Sequence, residues 1–301
     1  MKVTITGASG LLGAHLAAAF REHHEVIGID RNSWWGDWPL ALLRGELQDA
    51  SFVEEAISRS QPNVLIHCAG TVNVDACEKN PAQALEDNRG ITQRLLHSVS
   101  PDCLFVFIST DSVFSGNSRL STEDHPTSPV NVHARTKLEA ERAVSQHPQH
   151  LIIRTNFFGW SSGRKKTAAE WLYGALDRQE PITLFDDFFF TPIYAVDLST
   201  ILFRMIQRDA RGLFHVAGAD RVSKYEFGTV MAHGMCASIA NVRRGSIADM
   251  PLGAPRSSDI SLSSGKAERF LGTPMPRCHD GLTRFLSDFK KPLSERFRGN
   301  A

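Results

Sequence analysis

The chain has 301 residues, 42% hydrophobic and 22% charged, which is enough apolar material for a substantial core and too balanced a composition for a disordered polyelectrolyte. Lys plus Arg equals Asp plus Glu at 33 each, so the bulk charge gives no reason to expect nucleic acid or an anionic membrane as a partner. The five cysteines form no CxxC pair and keep no metal-ligand spacing with the histidines, and no run approaches a membrane span or a leader's apolar stretch. The expectations are buried free thiols, no metal and a cytoplasmic protein.

In chain order, short and nearly continuous apolar runs at 2–6, 25–30, 63–69, 104–109 and 151–155 predict strands buried on both faces of a parallel sheet. Helical patterns lie between them. Ser51-Phe52-Val53-Glu54 reads as a capping box opening a helix to about Arg59, Pro81 opens a second helix to about Ser98, and a third covers 131–146. This alternation predicts an α/β, doubly wound parallel sheet. After residue 156 the rhythm loosens: a helix near 167–178, a strand at 182–185, a helix after Pro192, a strand at 212–218 and a capping box at Ser223-Lys224-Tyr225-Glu226. The expected organisation is a nucleotide-binding domain over 1–160, with a returning segment near 190–210, and a smaller C-terminal substrate-binding lobe over 161–301.

Gly7-Ala8-Ser9-Gly10-Leu11-Leu12-Gly13 directly follows the first strand and opens a helix. Glycines there let the backbone turn and approach a pyrophosphate whose charge meets the helix N-terminus, so this stretch predicts a dinucleotide site rather than a packing turn alone. Asp30 ends the second strand, where a carboxylate accepts ribose hydroxyls and repels a 2′-phosphate; that favours NAD(H), and the adjacent Arg31 keeps NADP(H) open. Glu46 and Leu47 follow the loop Trp34-Trp35-Gly36-Asp37-Trp38 and are expected beside the adenine. The tryptophans are expected to serve packing or a subunit contact, as in a homodimer, with a place beside the adenine as the second reading. Arg164-Lys165-Lys166 reads equally as a diphosphate contact or a solvated loop, and the histidines at 23, 24, 147 and 150 read as surface residues at element ends.

Further stretches add a family resemblance. Ser109-Thr110-Asp111-Ser112-Val113-Phe114 follows the fourth strand, and Ser128-Pro129-Val130-Asn131 leads through His133, Thr136 and Lys137 to Glu139. Phe190-Thr191-Pro192-Ile193, Asp197-Leu198 and Ala254-Pro255-Arg256 come later. With the glycine motif, these resemble the dTDP-4-dehydrorhamnose reductases, which are extended short-chain dehydrogenases/reductases, over essentially the whole chain. The resemblance implies a Rossmann-like fold, a nicotinamide cofactor and reduction of a nucleotide-linked 4-keto-6-deoxy sugar. It implies backbone contacts to the cofactor from Gly10, Leu11 and Leu12, and a segment at Ala69, Gly70 and Thr71 running along it. Ser109 and Lys137 belong to the same cofactor set, with Lys137 on the nicotinamide ribose. Thr110, Asp111, Asn156, Phe157 and Arg256 are implied on the substrate side, Phe157 standing where relatives stack a tryptophan. Asn88 matches a helix asparagine with a structural role.

One position departs from the family's Tyr-x-x-x-Lys: here it is His133-Ala134-Arg135-Thr136-Lys137. A ketone that receives hydride needs a proton, normally from a phenol that a neighbouring Lys⁺ tunes. His133 and Lys137 share a helix face, so the expectation is proton transfer by His133 directly or through one water. Thr110 is a poor proton source. Two other readings stand beside the reductase: a non-catalytic NAD(P)-binding regulatory subunit and a nucleotide-sugar epimerase. A 4,6-dehydratase is set aside because Ser112, not Glu, follows Asp111.

Overall fold

The computed structural model describes residues 1–297. Its first half runs β1 (Lys2–Thr6), α1 (Leu11–Phe20), β2 (Glu25–Asp30), β3 (Ala41–Arg44), α2 (Ala50–Ser60), β4 (Val64–His67), α3 (Val74–Lys79), α4 (Pro81–Leu85), α5 (Ile91–Ser98), β5 (Leu104–Thr110), α6 (Val132–Val144) and β6 (His150–Thr155). These six strands and Gly212–His215 form a seven-stranded sheet, ordered Gly212–His215, β6, β5, β4, β1, β2, β3. Every pair is parallel, with Thr6 of β1 opposite Ile29 on one side and His67 on the other. The chain reverses its direction of travel across the sheet between β1 and β4, which opens a crevice at their C-terminal ends. All of β4, and β5 from Leu104 to Ser109, is buried, as continuous apolar runs require.

Beyond β6 lie α7 (Ala168–Asp177), α8 (Ala195–Gln207), α9 (Lys224–Gly234), α10 (Gly265–Leu271) and α11 (Cys278–Ser287). Helix α8 returns to pack on α1. A second apolar core collects Phe158, Trp160, Leu172, Phe227 and Phe285, with Trp160 stacked on Phe285 at 4.1 Å between ring centroids. Three two-stranded ladders cross this region, among them Phe157–Phe158 beside Ile193–Tyr194 and Phe189–Phe190 beside Val222–Ser223.

Several expectations change in detail. Asp49, not Ser51, caps α2, one carboxylate oxygen accepting from both the Ser51 and the Phe52 amides. The helix expected over 81–98 is broken by a π-helical turn at Glu86–Gly90, which puts Asn88 inside the protein. The strand expected at 212–218 ends at His215, and the edge strand β3 was not anticipated. Among the histidines expected at the surface, His147 is buried and its Nε2 meets the Cys103 carbonyl at 2.9 Å. Cys77, Cys103 and Cys278 are buried free thiols, whereas Cys236 is exposed. Among the described residues no helix is long and apolar enough to cross a membrane. The tryptophan loop packs inward: Trp34, Trp35 and Trp38 lie against Ala14, Ala18 and Leu293, and Trp35 Nε1–H donates to the Ser9 carbonyl.

Candidate active site

Gly7 leaves β1 in the left-handed region, with φ of 68°, where a side chain would also press on the Ala69 backbone at 2.9 Å. A Cβ at Gly13 would fall 2.2 Å from the Gly7 carbonyl oxygen, so glycine alone lets α1 start this close to the loop. Gly10 caps α1 and no side chain bonds to its first amides. The N–H groups of Leu11, Leu12 and Gly13 therefore stand open at the positive end of the helix, a cradle for a phosphate. Gly7, Gly10, Asp30, Arg31, Glu46, Leu47, Ala69, Gly70 and Thr71, all expected cofactor residues, line the one crevice that opens here.

Asp30 is nearly buried at its rim. Its Oδ2 accepts the Ser9 amide and its Oδ1 the Asn32 backbone amide, each at 2.8 Å, and Oδ1 also accepts the Asn32 side-chain amide at 3.2 Å, which fixes the carboxylate and leaves Oδ2 a further lone pair for a hydroxyl. Arg31 is exposed, and its guanidinium is 3.8 Å from Glu46. On the far wall, Asn88 holds Thr71 through both backbone groups, at 3.0 and 3.2 Å, and also donates to Thr136 of α6 at 3.0 Å. Asn88 thus ties the crevice wall to α6, the structural role expected of it. Arg164, on the loop before α7, donates to the carbonyl and hydroxyl of Ser33, the residue after crevice-lining Asn32.

Lys137 is buried on α6. Its Nζ donates to the Ile108 carbonyl at 2.6 Å and sits 3.9 Å from the Phe107 ring centroid. Burial lowers its pKa to about 8, against the opposing pull of Glu141 and Cys68. Cys68, whose thiol feels the Lys137 charge, also lines the crevice. Ser109, expected beside the cofactor, instead donates its hydroxyl inward to Glu141, a carboxylate that Arg154 clamps at 2.7 Å.

His133 lies one helical turn before Lys137 and is 6% exposed, with no hydrogen-bond partner for Nδ1. Burial first, then the cations Lys137 and Arg256, hold its pKa down to about 4. The imidazole is neutral at pH 7. Asn131 caps this helix, and its side-chain amide also donates to the Pro255 carbonyl, tying α6 to the loop that carries Arg256. Arg256 is engaged by Asp75 at 2.9 Å and by the Ala254 carbonyl at 3.0 Å.

Thr110 ends β5, and Asp111 turns beneath it. Asn156 donates to Asp111 Oδ2 at 2.6 Å, joining two expected substrate-side residues; Phe157 begins the short strand that follows. In the sequence Lys224 stands only as part of a helix-capping pattern. It opens α9 with its ammonium 3.4 Å from the Phe190 ring centroid and its charge acting on Asp111. No local signal reveals this, because it depends on how α9 faces the end of β5. Among the described residues no cluster of three His, Cys, Asp or Glu is placed to hold a metal.

Known proteins resemble this chain along nearly its full length. A probable low-salt glycan biosynthesis reductase of Haloferax volcanii is 28% identical, covering 96% of this chain and 98% of the relative. The methionine adenosyltransferase 2 subunit beta of Xenopus tropicalis is also 28% identical, over 89% and 82%. The crystal structure of a Bacillus anthracis dTDP-4-dehydrorhamnose reductase in complex with NADP superposes with a TM-score of 0.85 at 25% identity, over 96% of this chain and all of that one. Residues 1–291 match the family model described as the RmlD substrate binding domain, and the chain belongs to that family.

Proposed function

We propose that the protein is an NAD(P)H-dependent reductase of a nucleotide-linked 4-keto-6-deoxy sugar. The observation that carries this reading is Lys137, whose ammonium is held on the β5 backbone at the Ile108 carbonyl, 2.6 Å away and two residues before Thr110, one helical turn from His133. It supports reading the dinucleotide cradle and the Thr110–Asp111 turn as parts of one site.

In this reading the amides of Leu11, Leu12 and Gly13 hold the pyrophosphate, Asp30 the adenosine ribose, and Lys137 the nicotinamide ribose. The bound dinucleotide supplies hydride. Thr110 hydrogen-bonds the keto oxygen, and neutral His133 offers a second hydrogen bond, directly or through one water. Segment 161–301 forms most of the substrate lobe. Arg256 meets the diphosphate through the planar fork that suits phosphate oxygens, once its bond to Asp75 opens. NADH binds at least as tightly as NADPH, because the Asp30 carboxylate repels a 2′-phosphate; Arg31 and Arg164 moderate that preference.

The test is NADH oxidation by dialysed protein across a panel of 4-keto-6-deoxy sugars on thymidine or uridine diphosphate. Loss of the nicotinamide absorbance with at least one of them is expected. Tight NADH binding without turnover of any would leave the chain a cofactor-binding subunit.

A further inference from the structure

Asp111 has no task in the reading above beyond facing the substrate, yet it is 2% exposed and belongs to none of the ion pairs within 4.0 Å among the described residues. Glu141, the other buried carboxylate near this site, is neutralised by Arg154 at 2.7 Å. Asp111 is held by neutral groups. Its Oδ1 is 3.1 Å from the Thr110 hydroxyl and 3.2 Å from the Ser112 hydroxyl, and its Oδ2 accepts from Asn156. Lys224 of α9 acts on it from the other lobe. From α6, which packs on the Asp111–Val113 turn, the ionisable groups are His133 and Lys137, and Lys137 is bonded to the Ile108 carbonyl.

We propose that protonated Asp111 is the proton donor for carbonyl reduction, delivering through the Thr110 hydroxyl, and that Lys224 sets how firmly Asp111 holds that proton. The proposal rests on the reductase reading. Its hydrogen-bond inventory closes. Thr110 Oγ1 has two lone pairs, one facing the Ser112 amide at 3.2 Å and the other facing Asp111. When Asp111 carries the proton and donates it to Thr110, the threonine hydrogen is released to point at a keto oxygen.

As hydride reaches the carbonyl carbon, the C=O π pair moves onto oxygen. The Thr110 O–H bond breaks toward that oxygen, and the Asp111 O–H bond breaks toward Thr110 Oγ1. The alcohol is formed, the threonine hydroxyl is remade, and Asp111 is left as a carboxylate that Asn156 and Ser112 stabilise. Its next proton comes from water.

Proton supply at neutral pH favours this route over the imidazole. With a pKa of about 4, His133 is charged in roughly one molecule in a thousand at pH 7. Burial pushes the Asp111 carboxyl up to about 6, opposed by Asn156, Lys224, Thr110 and Ser112, so roughly one molecule in ten is protonated there.

The test compares kcat/KM against pH for wild type, Asp111→Asn and Lys224→Met, with NADH and a turned-over keto sugar. A ¹³C-carboxyl NMR titration of the unliganded protein runs beside it, with the Asp111 signal assigned by its loss in Asp111→Asn. Wild type should lose rate as pH rises through about 6, matching the NMR midpoint. Asp111→Asn should keep NADH affinity, lose that limb and fall by roughly 10²–10⁴-fold. Lys224→Met should move both midpoints upward, since the ammonium now favours the carboxylate. An active wild type with Asp111→Asn within threefold of it, or with the limb retained, would overturn the donor role while leaving the reductase standing. An Asp111 signal that shows no titration between pH 8 and pH 5, where the protein is folded, would also overturn it, and unmoved midpoints in Lys224→Met would remove the lysine from the account. A wild type inert on every keto sugar would remove the reductase reading and the donor with it.

Discussion

At His133 two effects act in the same direction: burial strips water from the imidazolium, and Lys137 and Arg256 repel it. The sequence made the lysine visible, because i and i+4 share a face, but not the depth of the site, and depth is the larger cause. Thr110, Asp111 and Lys137 were legible because they sit in local patterns beside a strand end and along one helix turn. Lys224 was not, because its neighbour is set by tertiary docking. A neutral imidazole contributes a hydrogen bond worth about 1 kcal/mol, or roughly fivefold in rate. His133→Gln should therefore cost less than about tenfold in kcat, measured at pH 6 and pH 7 with saturating NADH. A loss of 10²-fold or more would identify the imidazole as the acid.

The element that fixes the cofactor cradle is α1 with its loop. Its glycine spacing is readable because three backbone contacts, not side chains, demand it. Gly13→Ala places a methyl 2.2 Å from the Gly7 carbonyl oxygen, in backbone that cannot yield without moving the loop. The variant should fold, with a stability cost of about 1–3 kcal/mol by denaturant titration, and lose NADH binding by fluorescence. Unaltered affinity would mean that the loop position does not matter. Other elements were harder to read. β3 is a four-residue edge strand with both ends exposed, too short for a periodicity. The π-turn at Glu86–Gly90 carries no signature in residue type, yet it is what aims Asn88 at Thr71 and Thr136.

At the scale of the molecule, the two cores and the sheet order follow from alternating apolar runs, while the placement of polar residues inside them does not. His15, His67 and His215 are fully buried, and burial drives each pKa down to about 3; His133 is held at about 4. An unfolded histidine titrates near 6.5, so below that pH the unfolded chain takes up protons that the folded one refuses. Stability from these groups is complete above pH 6.5 and is lost as pH falls toward 3. At pH 5 each group removes on the order of 2 kcal/mol, and the four together about 8 kcal/mol, comparable with the whole stability of a typical domain. Asp111 acts oppositely: its raised pKa gives back up to about 3 kcal/mol as pH falls from about 6 to 4. Tryptophan fluorescence and circular dichroism should show cooperative unfolding near or somewhat below pH 5. An undiminished denaturant midpoint at pH 5 would contradict this.

The central claim is hydride transfer to a nucleotide-linked keto sugar, and the most direct measurement follows the hydride itself. NADH deuterated at both positions of the nicotinamide C4, mixed with protein in excess over a thymidine- or uridine-diphosphate 4-keto-6-deoxy sugar, should give a product carrying one deuterium on the former carbonyl carbon. Mass spectrometry and NMR of the recovered nucleotide sugar would count and locate it. One deuterium per NADH consumed, at that carbon, is the predicted result. Recovery of every keto sugar without deuterium, from protein that binds NADH tightly, would contradict it.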